Sequence, residues 1–425
     1  MKLAKGFEDN TAKRVTDPNP ITRTGHGRLP YPTGHVIVGG RQTRVVTVLL
    51  LLVTGMFSCS RETVPPYHEY LLAALKGEHA VAVVDTTDLE LKWKLPTGIG
   101  PHQVAAHPSG RAVTANYGSP ESPGFSLTVL DLHRFRVRKT VPLGEFERPH
   151  GIGFLQDGRR VVVGSEKDRA VLVCDIETGR LLQEIPTLQK GTAYICISEA
   201  KARVYAASPE SGSLAVLDLD ESRLLTLLPV GKSLWDPALS PSGAELWIPD
   251  RSENALFVVD THRLQIRDRV PCPGEPVAAS FVPGTSFLVV VCAGSADLAV
   301  FDTPGRREAA RYSLDWMEIE PISARGGSLK PIPFSVAVDR SGRRAYVSHP
   351  IASLVTVLDL YLNDNVPATA RSKGTRFPEG YGVPLPLTGP EMPDPRAEKW
   401  VLLVNRLRLG QNPEGLALVR LPSVR

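Results

Sequence analysis

VAVVD (81–85), LTVLD (127–131), VLVCD (171–175), LAVLD (214–218), LFVVD (256–260), LAVFD (298–302) and VTVLD (355–359) repeat one pattern, a short apolar run closed by an aspartate. The anchors Asp85, Asp131, Asp175, Asp218, Asp260, Asp302 and Asp359 fall 46, 44, 43, 42, 42 and 57 residues apart. A period of this size suits one four-stranded sheet per repeat, the blade of a β-propeller.

Working outward from the second anchor, one full unit runs from Pro101 through QVAAHPSG (103–110), RAVTANY (111–117), SLTVLDL (126–132) and RKTVPL (138–143) to Pro149. These are short runs with period-two character, separated by Pro-Ser-Gly and Gly-rich turns. Run length and β-branched content exclude helix. The chain starts its repeats in mid-unit, with Tyr70 to Leu75 reading as a second strand and Val81 to Asp85 as a third. The missing inner strand is Pro413-Glu-Gly-Leu-Ala-Leu-Val at the other terminus. The expected fold is therefore all-β, a seven-bladed propeller of four-stranded antiparallel blades. Its terminal strands pair in one composite blade, which leaves no open sheet edge at the chain ends.

The repeats fill about 65–422 of the 425 residues and make one domain. A net charge of +4, with both signs mixed along the blades, gives no basic stripe, so no nucleic-acid partner is expected. Residues 1–40 are polar and without periodicity and read as a disordered or mis-started extension. Residues 41–59 read as an export signal: VVTVLLLLVTGMF (45–57) follows Arg41 and Arg44 and is too short to span a bilayer. It ends at Ser58-Cys59-Ser60, which resembles a bacterial lipobox with Cys59 as the lipidated residue, although Met56 and Phe57 depart from the usual pattern. A simple cleaved signal and an uncleaved anchor remain the alternatives. The expected location is outside the cytoplasm, in the periplasm or anchored at the outer membrane, with membrane contact only through an N-terminal lipid anchor. Cys174, Cys196, Cys272 and Cys292 lie on or beside predicted strands in no zinc-site spacing. They read first as free buried thiols and second as a disulfide pair.

HPSGRAVTANYG (107–118), RPHGIGFLQDGRRVVV (148–163), SPSGAELWIPD (240–250) and DRSGRRAYVSH (339–349) resemble the units of YVTN-type β-propeller repeat proteins, from about Tyr70 onward. With PHQVA (101–105), the first is also similar to lactonase-like seven-bladed propellers typified by bacterial phosphogluconolactonase, a local likeness that fades after Ile185. The haem-d1 propeller of dissimilatory nitrite reductases shares the repeat but has eight blades. These resemblances imply the fold; propellers host many unrelated activities.

In a propeller, the 4-to-1 and 2-to-3 connections build the mouth of the central channel. The residues aligned at the start of the inner strands are His102, His150, Tyr194, Trp235, Val277, Phe334 and Glu414. A polar, aromatic-walled mouth formed by His102, His150, Tyr194, Trp235, Phe334 and Glu414 is a candidate ligand site. The plainer alternative is that the histidines hydrogen-bond a neighbouring blade. The 2-to-3 loops add Asn116, Tyr117, Glu166, Asp250, Arg251 and His349 as rim residues, each also suited to a tight turn. His107, in a turn on the opposite face, reads as structural. An insertion at 316–330, with Gly326 and Gly327 as a hinge, is a candidate lid on the mouth face. A second insertion at 363–398 reads as a surface loop or partner contact on the far face.

No nucleophile–base pair is legible, no metal site is assigned and no cofactor is implied. The leading expectation is a monomeric, exported binding or scaffold protein taking a small molecule or an envelope protein at the mouth. The alternative is a lactonase-like hydrolase using His102, His150 and Glu414 on a sugar lactone. A haem- or metal-dependent redox protein comes third, since the chain has no CxxCH.

Overall fold

The computed structural model describes residues 67–314, 331–361, 383–384 and 400–422. They form seven sheets in a ring, and the only helical element among them is a 3-10 turn at Glu199–Lys201. Blades 1, 2 and 3 have inner strands Pro101–His107, Pro149–Phe154 and Tyr194–Ser198. Blades 4, 5 and 6 begin at Ala238–Leu239, Pro276–Phe281 and Ser335–Val338. Blade 7 is composite: the C-terminal Pro413–Pro422 pairs antiparallel with Tyr67–Leu75, which is followed by Ala80–Asp85 and Leu91–Pro96. The register sets Tyr70 against Val419 and Leu72 against Ala417. This is the closure that the half-unit at each terminus requires.

Each middle strand is apolar on both sides because each blade is packed between two others. In Tyr67–Leu75, Leu71, Ala73 and Leu75 pack against Tyr346, Val355 and Val357 of blade 6. Leu72 and Ala74, of opposite parity, pack against Val104, Ala112 and Leu130 of blade 1. The period-two geometry of a strand sends alternate side chains to opposite faces. The same arrangement gives one apolar cluster at every blade boundary around the ring.

The aspartate anchors are turn-makers. Asp85 Oδ1 accepts from Thr87 N at 2.8 Å, and Asp131, Asp175, Asp218 and Asp260 each accept from the backbone N–H groups two and three residues on. The fourth residue after each of the first six anchors (Leu89, Phe135, Gly179, Ser222, Leu264, Arg306) has a positive φ. The carboxylate thus satisfies amides that a tight reversal would strand, and one left-handed residue sends the chain back as the outer strand. Asp302 and Asp359 instead meet Arg307 and Arg344. Replacing Asp260 by Ala removes acceptors of 2.9 Å bonds from His262 N and Arg263 N, and is expected to cost about 1 kcal/mol. Urea unfolding checks this, and an unmoved midpoint would deny the turn its energetic role.

Blade 6 departs from the four-stranded expectation. A short strand, Val383–Pro384, adds to the outer edge of Trp400–Leu407, so this sheet has five strands. The rest of the 363–398 insertion, the 316–330 insertion with Gly326 and Gly327, residues 1–40 and the 41–59 signal with Cys59 lie outside the described residues.

Candidate functional site

The aligned positions do converge. His102 and His150 have ring centroids 3.9 Å apart, His150 and Tyr194 4.7 Å, Tyr194 and Trp235 5.4 Å, Trp235 and Phe334 5.8 Å, and Phe334 and His102 5.7 Å. Five rings from five inner-strand starts therefore close a circuit around the axis. Blade 5 contributes no ring, because Val277 holds that position and is buried in the cluster against which Trp235 packs.

Close backbone approach makes the circuit possible. Gly151, just after His150, donates its N–H to Ala193 O at 2.8 Å, and a Cβ at this position would lie 2.5 Å from that oxygen. Gly415, just after Glu414, stands in the same relation to blade 1, where a Cβ would lie 2.6 Å from His102 O. Glycine in these places lets neighbouring inner strands come near enough for their leading side chains to touch.

Blade 7 supplies charge where the others supply rings. Glu414 Oε2 lies 3.2 Å from His102 Nε2, and Glu414 Oε1 lies 3.3 Å from Lys76 Nζ. The first contact is close but lacks hydrogen-bond alignment, since Glu414 Oε2 has no hydrogen-bond partner; His102 Nδ1 and His150 Nδ1 have none either. Burial pushes the Glu414 carboxyl up to about 7, with Lys76 pulling the other way. Burial, aided by the Lys76 charge, lowers His150 to about 3, and burial followed by the His150 and Lys76 charges holds His102 well below its ordinary value. Burial thus favours the neutral form of both imidazoles and of the carboxyl.

Above the circuit, Tyr117 is 5.2 Å from His102 and 5.6 Å from His150. Lys76 and Arg148 approach its ring at 4.9 and 5.0 Å, and Glu166 Oε1 accepts its hydroxyl proton at 3.2 Å. Arg251 lies 5.4 Å from the Trp235 ring and is paired with Glu275 at 2.8 Å. Glu166 is thus joined to Tyr117, and Arg251 to Trp235.

Three other expected rim residues are buried within the blades instead. Asn116 donates to Ser126 and Thr128 hydroxyls. Asp250, fully buried, accepts backbone bonds from Lys232, Ser233 and Glu253. His349, also fully buried, is held between Pro331 O and the Thr356 hydroxyl at 3.3 and 2.9 Å. They bind the loops rather than face the channel, because a short polar side chain at the end of a second strand is the nearest partner for its own connection.

Sequence reasoning passed over Asp236. Its N–H donates to Val277 O at 3.1 Å, bridging blades 4 and 5, and its charge adds to burial, the larger cause, in raising both Tyr194 and Cys196. Burial pushes Asp236 up to about 7. The signal was the break in the repeat at Trp235-Asp236-Pro237, where proline follows the ring residue instead of preceding it. Among the described residues, no group of three or more His, Cys, Asp or Glu side chains could hold a metal ion.

No protein-family profile matches the chain, and no curated protein matches it. Among solved structures, it is similar to a chain of Kuenenia stuttgartiensis hydrazine synthase, with 17% identity and a TM-score of 0.56 over 68% of this chain and 91% of that one. At that identity, the likeness concerns the fold alone.

Proposed function

We propose that this β-propeller is a binding protein whose mouth holds a small flat molecule with a polar edge. The observation that carries this reading is the closed circuit of rings with two buried imidazole nitrogens lacking a protein partner. The tilted rings give an aromatic wall of faces and edges, and the orphan nitrogens of His102 and His150 give hydrogen-bonding points that would otherwise be costly to bury. The YVTN-type resemblance is in keeping with a binding or scaffold role.

The test is a thermal-shift screen of flat aromatic acids and amides against the full chain and a His102→Ala, His150→Ala double variant. Both rings are buried, so the variant will be less stable; binding is compared by titration well below either melting temperature. Loss of the hits in the variant is the expected result. Equal binding to both proteins would remove the mouth from the reading.

Glu414 supports a second reading, a lactonase-like hydrolase, because a carboxyl near pH 7 beside a neutral imidazole is suited to general acid–base work. Turnover of sugar lactones that disappears in Glu414→Gln would favour it. The absence of turnover, with ligand binding intact, would favour the binding protein.

The apolar run at 45–57 and Cys59 support export with processing near Cys59. Fractionation checks this: Cys59→Ala moves a lipid-anchored protein into the soluble periplasm, leaves a simply cleaved one where it was, and full-length protein in the cytosol would defeat export.

A further inference from the structure

Away from the mouth, two cysteines from different blades meet in the core. Cys272 follows the outer strand of blade 4, Gln265–Pro271, and Cys292 ends the second strand of blade 5, Phe287–Cys292. Both are fully buried in the cluster that joins these blades, and their sulfurs are 3.8 Å apart. A disulfide requires about 2.05 Å, so bond formation asks for a modest movement of two side chains already in contact.

The surroundings favour chemistry at one of the two. Arg311 is buried, paired with Asp297 at 3.3 Å and with Glu308 at 2.6 Å, and its positive charge acts on Cys292. The hydrogen bond between the two thiols lowers Cys292, with burial opposing it and the Arg311 charge adding to it, while the same hydrogen bond, together with burial, raises Cys272. Cys292 is therefore the sulfur that ionises first, and a thiolate is the form that attacks a disulfide. A groove of about 620 Å³, lined by Pro271, Pro273, Gly274, Ser295 and Arg311, opens at the residues that flank Cys272. Gly274, which lines this groove, packs directly on Cys292: a Cβ there would lie 3.3 Å from Cys292 Cβ and 2.2 Å from Ser295 Oγ.

We infer that Cys272 and Cys292 are a redox couple, closed to a cross-blade disulfide by exchange with a small disulfide oxidant that reaches Cys292 through the groove over Gly274. Cys292 thiolate attacks one sulfur of the oxidant, forming a mixed disulfide and releasing one thiolate. Cys272, losing its proton, attacks Cys292 Sγ and expels the second thiolate. Two cysteine thiols are oxidised by two electrons, one disulfide is reduced to two thiols, and both protons leave on those thiols. The bond would add a covalent tie between the end of blade 4 and blade 5, a boundary already held by packing, the Asp236–Val277 backbone bond and the Arg251–Glu275 and Arg306–Glu245 pairs.

The test uses reduced full-length protein, incubated folded with oxidised glutathione, acid-quenched, then treated with N-ethylmaleimide in denaturant and mapped by mass spectrometry. The expected product links the Cys272 and Cys292 peptides, with Cys174 and Cys196 alkylated. The oxidised protein should melt a few degrees higher than the reduced one, and a Cys272→Ser, Cys292→Ser double variant should show no such difference. The Cys272→Ser variant should retain one glutathione on Cys292, because the resolving thiol is gone. Full alkylation of both cysteines after oxidant treatment, with no adduct on Cys292 in the single variant, overturns the inference.

Discussion

Removal of the chain from Pro413 onward is expected to abolish cooperative folding. Pro413–Pro422 is the inner strand of the composite blade, paired along its length with Tyr67–Leu75. Its buried side chains serve two boundaries at once, Leu416 in the cluster with blade 6 and Val419 and Leu421 in the cluster with blade 1. Losing each buried aliphatic side chain costs about 2–5 kcal/mol, against a total stability of about 5–15 kcal/mol for a domain. The edge of Tyr67–Leu75 would be unpaired as well. Calorimetry should show a single transition for the full chain and none for the truncated one; the same transition in both would defeat closure of the ring as the source of stability.

The second large effect is acid sensitivity, to which His349, His150 and His102 contribute in the same sense because burial holds each imidazole neutral. Burial, opposed by the Pro331 carbonyl, lowers His349 to about 4, against an ordinary 6.5. Above pH 6.5 the imidazole is neutral in folded and unfolded chains alike and contributes no pH dependence. As the pH falls from 6.5 to about 4, the unfolded chain takes up the proton and the folded one does not, so stability is lost. Over that window, the loss is on the order of 3 kcal/mol. Glu414 and Asp236, both pushed up to about 7, act in the opposite sense, because the folded chain holds their protons first as the pH falls. A His349→Gln variant separates the two effects, since the carboxylates are common to both proteins. Urea unfolding at steps from pH 7 to 4 should show the variant gaining on the natural chain as the pH drops. Parallel curves would mean that His349 is already charged when folded.

The repeat was legible because a blade is a local object. An apolar run, an aspartate that caps its own turn and a left-handed residue four positions later are set by neighbours in sequence, and they recur six times with near-constant spacing. The composite closure was legible for the same reason, as half a unit at each end has one way to be completed. The members of the aromatic circuit could be named from alignment alone, since equivalent strand starts must face one axis.

What alignment could not decide was where each side chain turns once it gets there. Asn116, Asp250 and His349, like Tyr117, Glu166 and Arg251, stand at or just beyond the ends of second strands, yet the first three turn inward to backbone and hydroxyl partners while Tyr117, Glu166 and Arg251 contact the rings or one another. That outcome depends on which buried polar group would otherwise go unpaired, a matter of three-dimensional surroundings. The Cys272–Cys292 contact joins neighbouring blades, and the meeting of Lys76 with Glu414 joins the two chain ends within one composite blade, with spacings that carry no pattern. Sequence alone thus determined the blade, the blade number and the closure, because those follow from local turn chemistry and strand periodicity. Tertiary structure alone decided the charge state of the mouth, because burial and neighbouring charge exist only once the seven blades are packed around their axis.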